Sequence, residues 1–315
     1  MTSISDPRDA SPTDWPLPAP EGFDLEQALR NNQIEYWYQP KIDLVKKRLA
    51  GLEAFARLCN ADGNVVNGAV LIANASPRAL VALSERALIA ALQTNANLQE
   101  IGVDVRLAIN VTVASLTRLP IAEIVQKYRS RKTKDVNIVF DVAEKNVLEE
   151  VEKMKKISKE LREAGFSIAI DDFGAALISI AQREEAYDRI GQTFAAISQL
   201  GNVRFSEMKI DRTLVRRVSE SEDRQKVCGH IVAMAHDCGA AAVAVGVETQ
   251  ADLQTLMGLG CDIGQGYLFG RPMTEDELLM TLWDRSVRAK EKQAASQDGA
   301  TPALLHNVRA RLRPA

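Results

Sequence analysis

The sequence predicts a (β/α)8 barrel, and three observations carry that prediction. Eight short apolar runs of strand character alternate with helical patterns along the chain. Several of those runs end in a polar side chain, such as Asn110, Asp171 or Lys209, and another carries the carboxylate of Glu53, as the strands of a barrel do at the face that carries its chemistry. The length fits as well: 315 residues, 46% of them hydrophobic, accommodate one barrel of about 250 residues with tails.

The elements follow in order. Residues 1–22 are rich in Pro, Asp, Ser and Thr, and Pro16, Pro18 and Pro20 prevent regular helix, so they read as a disordered arm. The barrel domain spans 23–290. A helix at 24–31 leads into strands at 34–42 and 49–57. Only Leu44–Arg48 joins those strands, too short for a crossover helix, so the pair is expected to be antiparallel. Further strands are predicted at 105–110, 136–142, 166–171, 204–210, 241–247 and 261–265. Helices are predicted at 77–97, 113–127, 146–164, 175–197, 220–238, 250–258 and 274–293. Residues 291–315 form a flexible tail ending in a basic stretch, Val308–Pro314.

Composition narrows the function. A net charge of −3 does not suggest nucleic-acid binding or membrane steering. Four scattered cysteines, Cys59, Cys228, Cys238 and Cys261, share no ligand spacing and read as reduced thiols in a cytosol. Three histidines argue against a His-based metal centre. No apolar run reaches the roughly 18 residues that a membrane span needs, and no basic-then-apolar leader opens the chain. A soluble cytoplasmic protein is expected.

The densest chemistry is Phe166–Gly174, a strand-like run closed by the adjacent acids Asp171 and Asp172. Buried acids must be solvated, paired or bound to a metal. Structural roles compete with that reading. Glu53 can pair with Arg57 four residues on, Asn110 can cap a helix beginning near Val113, Asp171–Asp172 can cap the next helix, and Lys209 can neutralise Asp171.

Seven motifs in order along the chain resemble the EAL domain, the family of cyclic di-GMP phosphodiesterases, over residues 24 to 285. They are Tyr38–Asp43, Gly51–Arg57 (with Phe55 for the usual Leu), Asn110–Thr112, Asp171–Gly174, Lys209–Arg212, Gly246–Thr249 and Gly260–Tyr267. The resemblance implies a barrel with one reversed strand that binds cyclic di-GMP. It implies that Glu53, Asn110, Asp141 and Asp171 hold one Mg²⁺ or Mn²⁺ ion and that Asp171 and Asp172 serve a second. Lys209 would orient the attacking water and Arg57 grip a phosphate oxygen. Gln39, Glu248 and Gln265 would line the mouth, and Phe269 and Pro272 the guanine rim.

Departures from the family pattern shape the functional expectation. Val245 stands at the position of the family's proposed general base, and valine neither binds a metal nor accepts a proton. Asp141 replaces a metal-binding glutamate; one methylene less withdraws the carboxylate by about 1.5 Å, against metal–oxygen distances of about 2.0–2.1 Å. The loop after the paired acids is rewritten and lengthened (175–203), so the family dimer is expected to be altered, with that region or the tails available to a protein partner. The expectation is a receptor or regulatory domain that keeps cyclic di-GMP binding and has lost hydrolysis. Its rivals are a slow metal-dependent phosphodiesterase yielding the linear dinucleotide and an interaction module that binds no nucleotide.

Overall fold

The computed structural model describes residues 23–59, 65–67, 71–72, 75–130, 136–175, 195, 197 and 203–284. The arm at 1–22, the tail at 291–315 and nearly all of the rewritten region at 175–203 lie outside them.

Eight strands close a barrel. In sheet order they are β1 (Ile34–Asp43), β2 (Arg48–Cys59), β4 (Arg106–Asn110), β5 (Ile138–Ala143), β6 (Ser167–Phe173), β7 (Glu207–Ile210), β8 (Ala241–Val245) and β9 (Ile263–Gln265), which returns to β1. Strand β1 runs antiparallel to both its neighbours, and all other barrel pairs are parallel. The five-residue link therefore gave the right orientation. One short strand was not anticipated: β3 (Val65–Asn67), which pairs with the end of β2 outside the closed ring.

Period-2 alternation divides the strands into two faces. Leu52, Leu107, Ile109, Phe140, Val142, Ile170, Met208, Ile210, Ala242 and Ala244 are fully buried on the outer face. The inner face carries Ala108, Val139 and Ala169 as a sealed apolar cluster, with charged groups on either side of it. Lys41 donates to Glu207 Oε2 at 2.5 Å, with both side chains buried and Arg106 3.9 Å from the other oxygen. Glycine at position 51 makes room for that pair. A Cβ there would lie 2.9 Å from the Arg106 carbonyl oxygen and 3.2 Å from Lys41 Cε.

The helices are α1 (Leu25–Arg30), α2 (Pro77–Glu100), α3 (Val113–Leu116), α4 (Ile121–Tyr128), α5 (Glu144–Glu149), α6 (Val151–Glu163), α7 (Arg212–Val215), α8 (Glu222–Asp237) and α9 (Gln250–Gly258). Residues 275–284 are also helical. Ser76 caps α2 by accepting from the Ala79 amide, and Pro77 sits in its first turn, where a missing N–H costs nothing. The helix expected at 113–127 is split at Pro120 into α3 and α4. The one at 146–164 begins earlier and breaks at Glu150, whose φ is −129°. Among the described residues, no helix is long and apolar enough to cross a membrane.

Candidate functional site

The parallel strands deliver their terminal side chains to one end of the barrel, and β1, running the other way, delivers Gln39. The inner-face alternation of β2 places Glu53, Phe55 and Arg57 in line. Residue Gln39 stands opposite Glu53 in the β1–β2 register.

Lys209 on β7 lies at the centre. Its ammonium donates to Glu53 Oε2 at 2.9 Å, Asp141 Oδ2 at 2.7 Å and Asp171 Oδ2 at 2.9 Å. Asn110 donates to Glu53 Oε1 at 2.8 Å. Gln265 donates to Glu53 Oε2 at 2.8 Å and to Gln39 Oε1 at 3.1 Å, while Gln39 donates to the Gly270 carbonyl at 2.9 Å. Seven residues named from sequence are thus brought together: Gln39, Glu53, Asn110, Asp141, Asp171, Lys209 and Gln265.

The competing structural roles are resolved differently for each. Glu53 bonds to Lys209 rather than to Arg57. Thr112, not Asn110, caps α3. The two acids at 171–172 form a β-bulge: the β6–β7 register shifts between Ile170 and Phe173, and Asp172 takes φ 53°. An aspartate tolerates that left-handed conformation better than most residues, and its amide donates to Asp171 Oδ1 at 2.9 Å. The bulge keeps Asp171 directed at Lys209 while Asp172 stays exposed. The turn that follows is held by Glu144, whose Oε2 accepts from the Gly174 amide at 2.8 Å.

The remaining named residues lie around this cluster. Arg57 is 3% exposed, donates to the Ala56 carbonyl at 2.9 Å, and places its guanidinium 5.4 Å from the Phe55 ring centroid. Val245 ends β8 opposite Gln265. Strand β8 stops there, short of the expected 247, because Gly246 turns away at φ 83° and the amides of 246 and 247 both donate to the Gln265 carbonyl. Glu248 is exposed and lies 3.9 Å from Arg216, apart from the carboxylates. The Phe269 ring packs on Gly264, where a Cβ would meet it at 2.7 Å, and Pro272 is half-buried nearby in sequence.

Electrostatics follow from three buried carboxylates facing one ammonium. For Lys209, burial alone would lower the pKa, but Asp141, Asp171 and Glu53 hold it well above the usual value. Burial likewise opposes the Glu53 carboxylate, yet the Lys209 charge and the hydrogen bonds from Lys209, Asn110 and Gln265 keep it below the ordinary range. Asp141 is pushed up to about 7 by burial, with Glu53 and Asp171 adding to the rise that Lys209 resists. Asp171 is raised too, by burial and by Glu53. Partial desolvation, then the neighbouring carboxylates of Asp171 and Asp211, push Asp172 up to about 6.

This donor set fits a divalent cation. Glu53, Asp141 and Asp171 each offer an oxygen, all within 4.8 Å of one another, and hard oxygen ligands suit Mg²⁺ or Mn²⁺. Asp141 Oδ1 is buried with no hydrogen-bond partner, an uncommon state for a carboxylate oxygen unless something cationic completes it.

Sequence and structure comparisons agree with this geometry. The EAL domain profile matches residues 23–187 and 186–272. The chain is 28% identical over 262 residues to the cyclic di-GMP phosphodiesterase RocR of Pseudomonas aeruginosa, a match covering 82% of this chain and 62% of that protein. It thus spans less than two thirds of that relative's length. Among solved structures, a PaMucR phosphodiesterase in complex with c-di-GMP superposes with a TM-score of 0.65 at 26% identity, covering 81% of this chain and 98% of that one. A Klebsiella pneumoniae BlrP1 manganese/cy-diGMP complex gives 0.61 at 25% identity, covering 77% and 57%. With a profile match that runs from the first helix of the barrel to beyond its last strand, this protein belongs to the EAL domain family.

Proposed function

We propose that the protein is a cyclic di-GMP receptor or regulatory domain that has lost hydrolysis. The observation that carries this reading is Val245. It ends an inner-face row on β8, opposite Gln265, where a proton acceptor is needed and a hydrocarbon stands. The nearest acid along the chain, Glu248, is exposed beside Arg216 and outside the cluster. General acid–base help is worth about 10²–10⁴ in rate, so its loss leaves a binding site with little turnover.

The residues that grip a ligand are retained. Arg57 offers a planar fork for a phosphate oxygen, and Gln39 and Gln265 are mutually fixed at 3.1 Å. Were Mg²⁺ or Mn²⁺ bound, Glu53, Asp141 and Asp171 would hold it, with Asn110 and Asp172 beside them. The ion would supply Lewis-acid polarisation of a phosphate oxygen.

A second reading, a slow metal-dependent phosphodiesterase yielding the linear dinucleotide, is favoured by the assembled carboxylates. Calorimetric titration of the full chain with cyclic di-GMP, with and without Mg²⁺, tests the receptor reading. Saturable binding in both conditions supports it. No heat at high micromolar nucleotide overturns it in favour of an interaction module, for which region 175–203 or the tails would be the contact.

A further inference from the structure

We propose that Lys209 is the resident cation of the carboxylate cage and that a divalent ion enters only by displacing it. An ammonium has three protons, and this one donates one to each acid, at 2.9, 2.7 and 2.9 Å. Those acids are the same three whose oxygens lie within 4.8 Å of one another. The ammonium therefore stands where a metal must stand to take one oxygen from each, and metal–oxygen distances of about 2.0–2.1 Å leave no room for both.

The second oxygens are also engaged. Asn110 donates to Glu53 Oε1 and the Asp172 amide to Asp171 Oδ1. Only Asp141 Oδ1 is left buried and unpaired. One lysine does not saturate this cage, yet it blocks the position from which a metal would.

Whether the lysine yields depends on where its ammonium can go. Lys209 is in register with Val243, and Val245 lies two residues further along the same face of β8. An ammonium moved toward the mouth on that side finds a hydrocarbon in place of an acceptor, since Glu248 is exposed beside Arg216. There, beside the half-buried Val245, it would exchange three charge-assisted hydrogen bonds for partial solvation against a hydrocarbon, and losing such bonds is costly. Valine at 245 thus holds the lysine in the cage and keeps metal affinity low, a role apart from its failure as a base. The inference rests on reading the cage as a metal site, and it is independent of nucleotide binding.

The test uses the ¹⁵N-labelled full chain titrated with Mg²⁺, followed by calorimetry and by NMR of lysine ammonium groups. Lys41, held by Glu207 at 2.5 Å, is the internal reference. The Lys209 signal, assigned by its loss in Lys209→Met, should disappear or shift as Mg²⁺ saturates, while the Lys41 signal stays. Lys209→Met should bind Mg²⁺ at least about tenfold more tightly, a change of about 1.4 kcal/mol. Val245→Gln, which adds an acceptor without a charge, should tighten it by at least about threefold.

If Lys209→Met does not fold, the NMR of wild type and the Val245→Gln affinity decide alone. Saturation with the Lys209 signal intact overturns the proposal. So does unchanged affinity in Val245→Gln, or an absence of Mg²⁺ binding in every variant. Failure of cyclic di-GMP to bind in the metal-free titration sinks the receptor reading and leaves this one standing.

Discussion

Replacing Arg57 by Met should separate ligand grip from fold. The guanidinium is buried, stacked over Phe55 and bonded to its neighbour's carbonyl. Burial lowers its pKa to about 10, so it remains charged at neutral pH. At about 1.36 kcal/mol per pH unit, that fall means burial opposes the charge by about 3 kcal/mol. A phosphate oxygen beside it returns part of this, as a charge-assisted bond worth about 1.5–3 kcal/mol. Methionine keeps the apolar stem against Phe55. The expected result is a Kd for cyclic di-GMP raised about 10- to 150-fold. The unfolding free energy should move by less than about 1 kcal/mol, because the lost cation–π contact and hydrogen bond are offset by removing a charge that burial disfavours. Calorimetry and chemical denaturation read the two quantities. Affinity within about threefold of wild type would refute the assigned grip, and destabilisation beyond about 3 kcal/mol would make Arg57 a structural residue.

Val245→Glu and Asp141→Glu should each restore little hydrolysis with Mn²⁺ and together more than the sum, because catalytic groups acting as a unit are non-additive; additive singles in a product-release assay contradict this. Lys41→Met leaves Glu207 buried without its ammonium and should cost about 3–5 kcal/mol of stability, largely recovered by adding Glu207→Gln; a loss under about 1 kcal/mol in urea unfolding counts against the pair. The metal-free protein should lose stability between about pH 5 and pH 7.5. Asp141 is raised to about 7, so the fold holds its proton where the unfolded chain is ionised, and that contribution is lost as pH rises through the folded value. Glu53 is shifted the other way and acts below this window. Asp141→Asn should flatten the slope; an equal slope in the variant contradicts the assignment.

The strands were legible because the barrel strands are short apolar runs, several of them closed by a polar residue, and the short link at Leu44–Arg48 allowed only one orientation. Of the site cluster, Asn110, Asp171 and Lys209 were legible as polar residues closing strand-like runs and Glu53 as a carboxylate within one, whereas Gln39, Asp141 and Gln265 were named only through the resemblance to the EAL domain. The lysine's threefold bonding was not legible, since sequence pairs residues but does not give radial position inside a barrel. Lys41 and Glu207 were missed although a signal existed: Lys41 follows Gln39, and Glu207 precedes Lys209, each by two residues and so on the same face. Glu144 lies three residues after Asp141 in the sequence, but its bond to the Gly174 amide crosses from the end of β5 to the turn after β6, beyond local reasoning. Pro120 was visible in the sequence and should have split the helix expected at 113–127.

The most direct test of the central claim is the fate of bound nucleotide. Wild-type full chain, in molar excess over cyclic di-GMP and supplied with Mn²⁺, is incubated, denatured and its nucleotide separated chromatographically. The account predicts that the ligand co-purifies with the protein and is recovered as the intact cyclic dinucleotide. Conversion to the linear form at rates on the order of 1 s⁻¹, ordinary for an enzyme, would contradict it and show that another residue serves where Val245 stands.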